Sequence, residues 1–108
     1  MIIYNVTTNI DASVHDEWFE WMKTEHIPKV LATGKFEKAT FSKVLIEEDL
    51  GGTTYSVQYR SYSREALDAY YKEDAETLRA ESLKKFADKQ LAFRTEMEIV
   101  DEYSVKFK

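Results

Sequence analysis

Alternation of apolar and polar residues predicts four strands, and apolar residues spaced three or four apart predict two helices between them. Residues 2–10 alternate, with the apolar side chains on one face. Residues 36–47 are also predicted to form a strand, and the period of two recurs over residues 53–62 and again from about Gln90 to Ile99. The predicted order is therefore strand–helix–strand–strand–helix–strand.

The first helix is predicted from about Ala12 to about His26, with Asp11 as its N-cap. Its apolar stripe consists of Val14, Trp18, Trp21 and Met22. Pro28 disfavours helical geometry at the residue before it, so the helix should stop or bend there. Pro28 can then open a short second helical turn that is closed by Gly34.

The second helix is predicted to begin after Ser63, which is a suitable N-cap. Its helically spaced residues are Leu67, Tyr71, Ala75, Leu78, Ser82 and Phe86. Asp74 could cap a new helical segment, so a bend near Glu73 is expected.

This order of elements, with right-handed crossovers, predicts an α+β fold of the ferredoxin-like βαββαβ type. The four strands should form one antiparallel sheet, with the helices on one face and the first and third strands at its centre. Residues 1–108 are expected to form a single domain, because this length is sufficient to bury one core.

Composition narrows the classes of function. The net charge of −5 opposes nucleic-acid binding, and the absence of cysteine excludes thiol chemistry and disulfides. No apolar segment approaches a membrane span and no positively charged leader occurs, so a cytoplasmic protein without membrane contact is expected. His15 and His26 lie about 16 Å apart on a helix, so they cannot share a metal ion and no metal site is expected.

A resemblance to dimeric α/β-barrel proteins is carried by the first helix, in residues 18–28 (WFEWMKTEHIP) and 33–36 (TGKF). Three further segments extend it: residues 1–6 (MIIYNV), 54–59 (TYSVQY) and 91–95 (LAFRT). With these, nearly the whole chain resembles one uncharacterised bacterial family, a domain of unknown function common in Bacteroidetes.

The resemblance implies a homodimer in which two sheet faces close into a barrel. The superfamily includes antibiotic-biosynthesis monooxygenases, muconolactone isomerase-like enzymes and stress-response barrels, so it implies no single activity. The residue sets of its haem-degrading and quinone-forming members are not found in this sequence, and no cofactor is expected.

The sheet face opposite the helices is predicted to carry specific polar side chains. These are Asn5, Thr7, Ser56, Gln58 and Arg60 on the central strands, and Arg94, Glu96 and Glu98 on the last strand. A solvated face of an open sheet is one interpretation, and the resemblance implies instead that they line a barrel. Enclosed charges need partners, so Arg94 and Glu96, or Arg60 and a glutamate, should pair there or hold a ligand.

His26 is the catalytic candidate. It is expected either to interact with the carbonyl end of the first helix or to serve in proton transfer or ligand contact at the cavity mouth. Arg94 would be the main contact of an anionic or carbonyl-bearing molecule, because a guanidinium matches a carboxylate. Asn5 and Gln58 could add neutral hydrogen bonds, and pairing with Glu96 is the competing role for Arg94.

No motif names a reaction, and whether the protein is an enzyme stays open. The first hypothesis is a homodimeric small-molecule-binding protein, whose chemistry as an enzyme would be cofactor-independent proton transfer or oxygenation. The alternative is a non-catalytic dimeric regulatory or protein-interaction module. The tail after Asp101 alternates at Tyr103, Val105 and Phe107, so it is expected to extend a strand and help dimerisation.

Overall fold

A computed structural model describes residues 1–46 and 51–105. Its strands are β1 (Ile2–Ile10), β2 (Phe36–Lys43), β3 (Thr53–Ser61) and β4 (Gln90–Glu98). Its α-helices are α1 (His15–Trp21), α2 (Ile27–Ala32), α3 (Arg64–Tyr70) and α4 (Glu76–Phe86). Two π-helical segments, Met22–His26 and Tyr71–Ala75, join the helices in pairs.

The strands form one antiparallel sheet in the order β2-β3-β1-β4. This arrangement confirms the predicted ferredoxin-like βαββαβ fold, with the first and third strands at the centre. The helices pack against one sheet face, where Ile10, Trp18 and Leu67 are almost completely buried. The other sheet face is left without a covering layer in the described part of the chain.

The first helical region follows its predicted start but not its predicted stop. The Asp11 side chain accepts a hydrogen bond from the Ser13 backbone N–H at 2.9 Å, as an N-cap does. Ile27 keeps helical angles (φ −60°, ψ −45°), so the helix continues through the residue before Pro28. Proline lacks an N–H and crowds the preceding turn, and the wider π-helical segment in front of it accommodates both defects. Gly34, at φ +80°, ends the region as predicted.

The second helical region begins at its predicted cap, because Ser63 Oγ accepts a hydrogen bond from the Ala66 N–H at 3.1 Å. The expected irregularity near Glu73 is present as the π-helical segment. Asp74 does not cap a new helix. Its carboxylate instead accepts a hydrogen bond from Lys35 Nζ at 3.2 Å, which ties the helix to the start of β2.

The strand boundaries near the β2–β3 turn differ slightly from the prediction. β2 ends at Lys43, and position 47, its predicted end, lies outside the described residues. Gly52 has φ +78°, and a Cβ there would lie 2.8 Å from the Ile10 carbonyl oxygen. Glycine is required at this turn because any side chain would collide with β1.

The placement of Arg94, Glu96 and Glu98 on the open sheet face was wrong. In the β1–β4 register Val6 pairs with Arg94 and Tyr4 with Glu96, so these side chains share the helix-covered side with the core residues of β1. The apolar residues of β4 point to the open face and are exposed: Leu91, Phe93 and Met97. The prediction assumed that the apolar side of β4 faces the core, which does not hold for this edge strand.

The C-terminal tail does not extend the sheet as predicted. The Ile99 N–H still donates to the Met1 carbonyl at 3.0 Å, but residues 99–105 have no strand geometry and most are exposed. Glu102 pairs with Arg60 at 2.6 Å, which holds the tail against the open sheet face. Phe107 lies outside the described residues.

We expect Trp18→Ala to lower the free energy of unfolding by about 3–5 kcal/mol, because Trp18 is 1% exposed and packs against Tyr55 and Phe41. Urea unfolding followed by circular dichroism measures the change. Glu17→Ala is the matched control on the exposed side of α1, and its effect should stay within about 0.5 kcal/mol. An unchanged midpoint for Trp18→Ala would show that Trp18 is not a core residue.

Candidate functional site

A cavity of about 210 Å³ lies between the sheet and the helices. Its walls are mainly apolar and include Val6, Trp18, Met22 and Leu78, while Tyr4, Arg79 and Arg94 form a polar end. The volume is below the range of about 300–1,000 Å³ that drug-sized ligands occupy. An apolar enclosure with a few convergent polar groups is the usual form of a small-molecule site.

Two guanidinium groups converge on one phenol at the polar end. The Tyr4 hydroxyl oxygen accepts a hydrogen bond from Arg79 Nη2 at 2.9 Å and another from Arg94 Nε at 3.0 Å. Within residues 1–46 and 51–105, neither arginine forms an ion pair with a carboxylate. Arg79 Nε is buried and has no hydrogen-bond partner there. The polar end therefore carries two positive charges that no described carboxylate neutralises.

Glu96 does not neutralise Arg94, although both lie on the helix-covered side of β4. Its carboxylate accepts hydrogen bonds from Arg64, at 2.7 Å from Nη1, and from the Tyr71 hydroxyl. The hydrogen bonds from Arg64 and then from Tyr71 lower the pKa of Glu96 to about 2. Glu96 therefore fastens β4 to the helical layer, and Arg94 is left facing the cavity.

His26 also faces the cavity, at the last position of the first π-helical segment. Its ring stacks on Trp21 with centroids 4.8 Å apart, and it makes no capping hydrogen bond. Its Nδ1 is buried without a hydrogen-bond partner among the described residues. Burial lowers the pKa of His26 to about 4, Glu81 opposes this shift, and Arg94 and Lys29 add to it. The imidazole is therefore neutral at pH 7.

The remaining candidates lie on the opposite face of the sheet. Asn5 donates to Thr7 Oγ1 on its own strand at 3.0 Å and accepts from Ser56 Oγ on β3 at 2.6 Å, so its amide is already occupied. Gln58 is exposed. Arg60 pairs with Glu37 at 2.9 Å as well as with Glu102 in the tail. The structure therefore brings His26 and Arg94 together and separates them from Asn5, Gln58 and Arg60.

Two residues of the cavity were missed by sequence reasoning. Tyr4 belongs to the apolar face predicted for residues 2–10, and its ring is buried, but its hydroxyl was not expected to accept hydrogen bonds from two arginines. Arg79 was not singled out. It follows Ala75 by one helical step of four, on the apolar stripe of the second helix, and a charged residue in that stripe was the available signal.

The fold and the cavity define an α+β protein of ferredoxin-like architecture with an internal, arginine-bearing pocket. Residues 1–100 match the family described as a domain of unknown function (DUF4286), and the chain belongs to that family. Among curated proteins, none matches the chain in sequence. No helix in residues 1–46 and 51–105 is long and apolar enough to cross a membrane.

Several solved structures share the fold at low sequence identity. A dimeric ferredoxin-like protein from an uncultured marine organism is 15% identical with a TM-score of 0.66, covering 94% of this chain and 97% of its own. A putative antibiotic biosynthesis monooxygenase from Deinococcus radiodurans is 12% identical with a TM-score of 0.63, covering 99% and 100%. A Streptomyces coelicolor monooxygenase in complex with nanaomycin D is 15% identical with a TM-score of 0.57, covering 95% and 92%.

The buried, neutral His26 should make stability depend on pH. Its pKa is about 4 in the folded protein and about 6.5 in an unfolded chain, so the unfolded state binds more protons between these values. The free energy of unfolding should therefore fall by about 2 kcal/mol as the pH is lowered from 7 to 5. Urea unfolding at pH 5, 6 and 7 measures this slope.

His26→Phe should abolish most of that slope, because phenylalanine keeps the stack on Trp21 but does not titrate. His15→Gln is the matched control, since His15 lies outside the cavity and hydrogen-bonds to Tyr55. If His26→Phe kept the full slope and His15→Gln lost it, the neutral, buried state assigned to His26 would be wrong.

Proposed function

We propose that this protein is a homodimeric small-molecule-binding protein whose cavity takes a small anionic or carbonyl-bearing molecule. The observation that carries the proposal is the convergence of Arg79 and Arg94 on the Tyr4 hydroxyl without a neutralising carboxylate among the described residues. The charge of Arg79 is partly removed from water, which is costly unless the charge is paired, and an anionic ligand would supply the missing partner.

The two arginines retain donors for such a ligand. Arg94 uses Nε on Tyr4, so its two Nη groups are available in the fork that matches a carboxylate or an enolate oxygen. Arg79 uses Nη2 on Tyr4, and its buried Nε has no hydrogen-bond partner among the described residues. Arg94 is the more exposed of the two, so it would meet an entering anion first, and the partly buried Arg79 would hold it further inside.

Cofactor-independent chemistry belongs to the same proposal. The neutral His26 imidazole faces the cavity and could accept a proton from a bound molecule, while the guanidinium groups stabilise the negative charge that develops on its oxygen. Such an arrangement supports proton transfer at a carbon next to a carbonyl. Oxygenation would start from the same anion, with dioxygen as the co-substrate that supplies the oxygen and accepts the electrons, and two of the structural neighbours are named as monooxygenases.

The homodimer is supported by the composition of the open sheet face. Its edge strand β4 exposes Leu91 (74%), Phe93 (61%) and Met97 (38%) beside the polar residues of β1 and β3. Exposed apolar side chains gathered on one strand are typical of a protein–protein interface. A structural neighbour is itself described as dimeric.

The ligand proposal is tested by a thermal-shift screen of small carboxylates. We expect at least one to raise the melting temperature of the wild type by several degrees at a concentration of about 100 Kd. Arg94→Gln should lose most of the shift, and Arg60→Gln, on the opposite face, should keep it. Equal shifts in the wild type and Arg94→Gln would remove Arg94 from the site. A screen without hits would favour a non-catalytic dimeric module.

The dimer proposal is tested by light scattering at micromolar concentration, where the wild type should have twice the mass of the chain. Phe93→Glu should shift the protein to the monomer, because it places a charge in the apolar part of the interface. Leu83→Glu is the matched control: Leu83 is equally exposed at 61% but lies on α4. A monomeric wild type, or a Phe93→Glu variant that remains fully dimeric, would contradict the proposal.

A further inference from the structure

The cavity offers hydrogen bonds at two separate places. Tyr4 and the two arginines form the polar end, and the imidazole of His26 lines the same cavity from the first helical region. Met22, Leu78 and Trp18 supply apolar walls to the same cavity. A ligand that bound only the arginines would leave the imidazole of His26 without a hydrogen-bond partner among the described residues, and an enclosed polar group without a partner is unfavourable.

The size and walls of the cavity limit the body of the ligand. An apolar cavity of about 150 Å³ can enclose a benzene molecule, so the volume of about 210 Å³ suits one ring with small substituents. Trp18, Tyr59 and Tyr70 line it, and aromatic side chains contact a flat ring favourably. A single unsaturated or aromatic ring fits these walls.

The imidazole of His26 selects the second substituent of the ligand. A neutral imidazole carries its one proton on either nitrogen, so each nitrogen is either a donor or an acceptor. A hydroxyl group satisfies both cases, because it can donate to a bare ring nitrogen or accept from a ring N–H. A carbonyl or a protonated amine would match one case each.

We propose that the ligand is a compact aromatic or unsaturated hydroxy acid, whose acid group is held by Arg79 and Arg94 and whose hydroxyl group bonds to the imidazole of His26. The proposal rests on the proposed function, since it assumes that the arginines bind an anion. Beyond that function, it identifies His26 as the residue that distinguishes a hydroxy acid from an acid without a hydroxyl group. The Tyr4 hydroxyl would donate a hydrogen bond to the anion, because its oxygen already accepts hydrogen bonds from both arginines.

The test compares benzoate with ortho-, meta- and para-hydroxybenzoate by calorimetric titration of the full chain at pH 7. We expect at least one hydroxybenzoate to bind about three- to tenfold more tightly than benzoate, the range for one additional neutral hydrogen bond. The matching hydroxybenzamide, which keeps the hydroxyl but lacks the charge, should bind at least tenfold more weakly than that hydroxybenzoate.

Variants test whether the tighter binding of the hydroxybenzoate depends on His26. His26→Phe should bind benzoate and the preferred hydroxybenzoate equally, whereas His26→Gln, which restores a polar group, should recover part of the preference. Lys29→Gln, on the same helical region but paired with Glu81 outside the cavity, should behave as the wild type. Urea unfolding at pH 7 verifies that each variant is folded.

The outcomes separate this inference from the function on which it rests. Equal affinity of the wild type for benzoate and all three hydroxybenzoates would overturn the role of His26 and leave the anion site intact. A preference that persists in His26→Phe would do the same. Binding of none of the acids would overturn both proposals. Equal binding of the hydroxybenzamide would show that the negative charge is not recognised; it would overturn this inference and leave the carbonyl-bearing ligand of the proposed function.

Discussion

The register between β1 and β4 determines which side of the sheet carries the charged residues of β4. With Val6 opposite Arg94 and Tyr4 opposite Glu96, two charged side chains of an edge strand lie under the helices. A slip of one residue would move both to the open face, because side chains alternate along a strand. The ion pair of Glu96 with Arg64 fixes the register from the helical side. The polar end of the cavity, with Arg94 on the Tyr4 hydroxyl, depends on this alignment.

Local patterns were sufficient to predict the fold. The central strands are covered on one side only, so Tyr55, Val57 and Tyr59 alternate with polar residues, and the helices begin at caps that the sequence displays. The same reasoning failed for β4. An edge strand has space beside the helices for long charged side chains, and its apolar residues lie on the face left open. Alternation defines two faces of a strand but does not identify which one is covered.

The candidate site was predicted in part. His26 and Arg94 were selected from the sequence, but their meeting in one cavity depends on how β4 pairs with β1 and how the first helical region crosses the sheet. Arg79 was missed because its contact with Tyr4 joins residues far apart in sequence. The low pKa of His26 results first from burial, and Arg94 of β4 adds to it; no local pattern reveals either cause.

Because of the π-helical segment Met22–His26, the orientation of His26 depends on the number of residues in the first helical region as well as on their types. Such a segment is equivalent to one inserted residue in an α-helix, and each residue turns the helix by about 100°. A chain with one residue deleted there could form a regular α-helix. Relative to α1, His26 would then turn away from the cavity although every side chain that lines it was retained. Relatives with a single-residue gap at this point would therefore keep the residue types of the pocket, but their histidine would not face it.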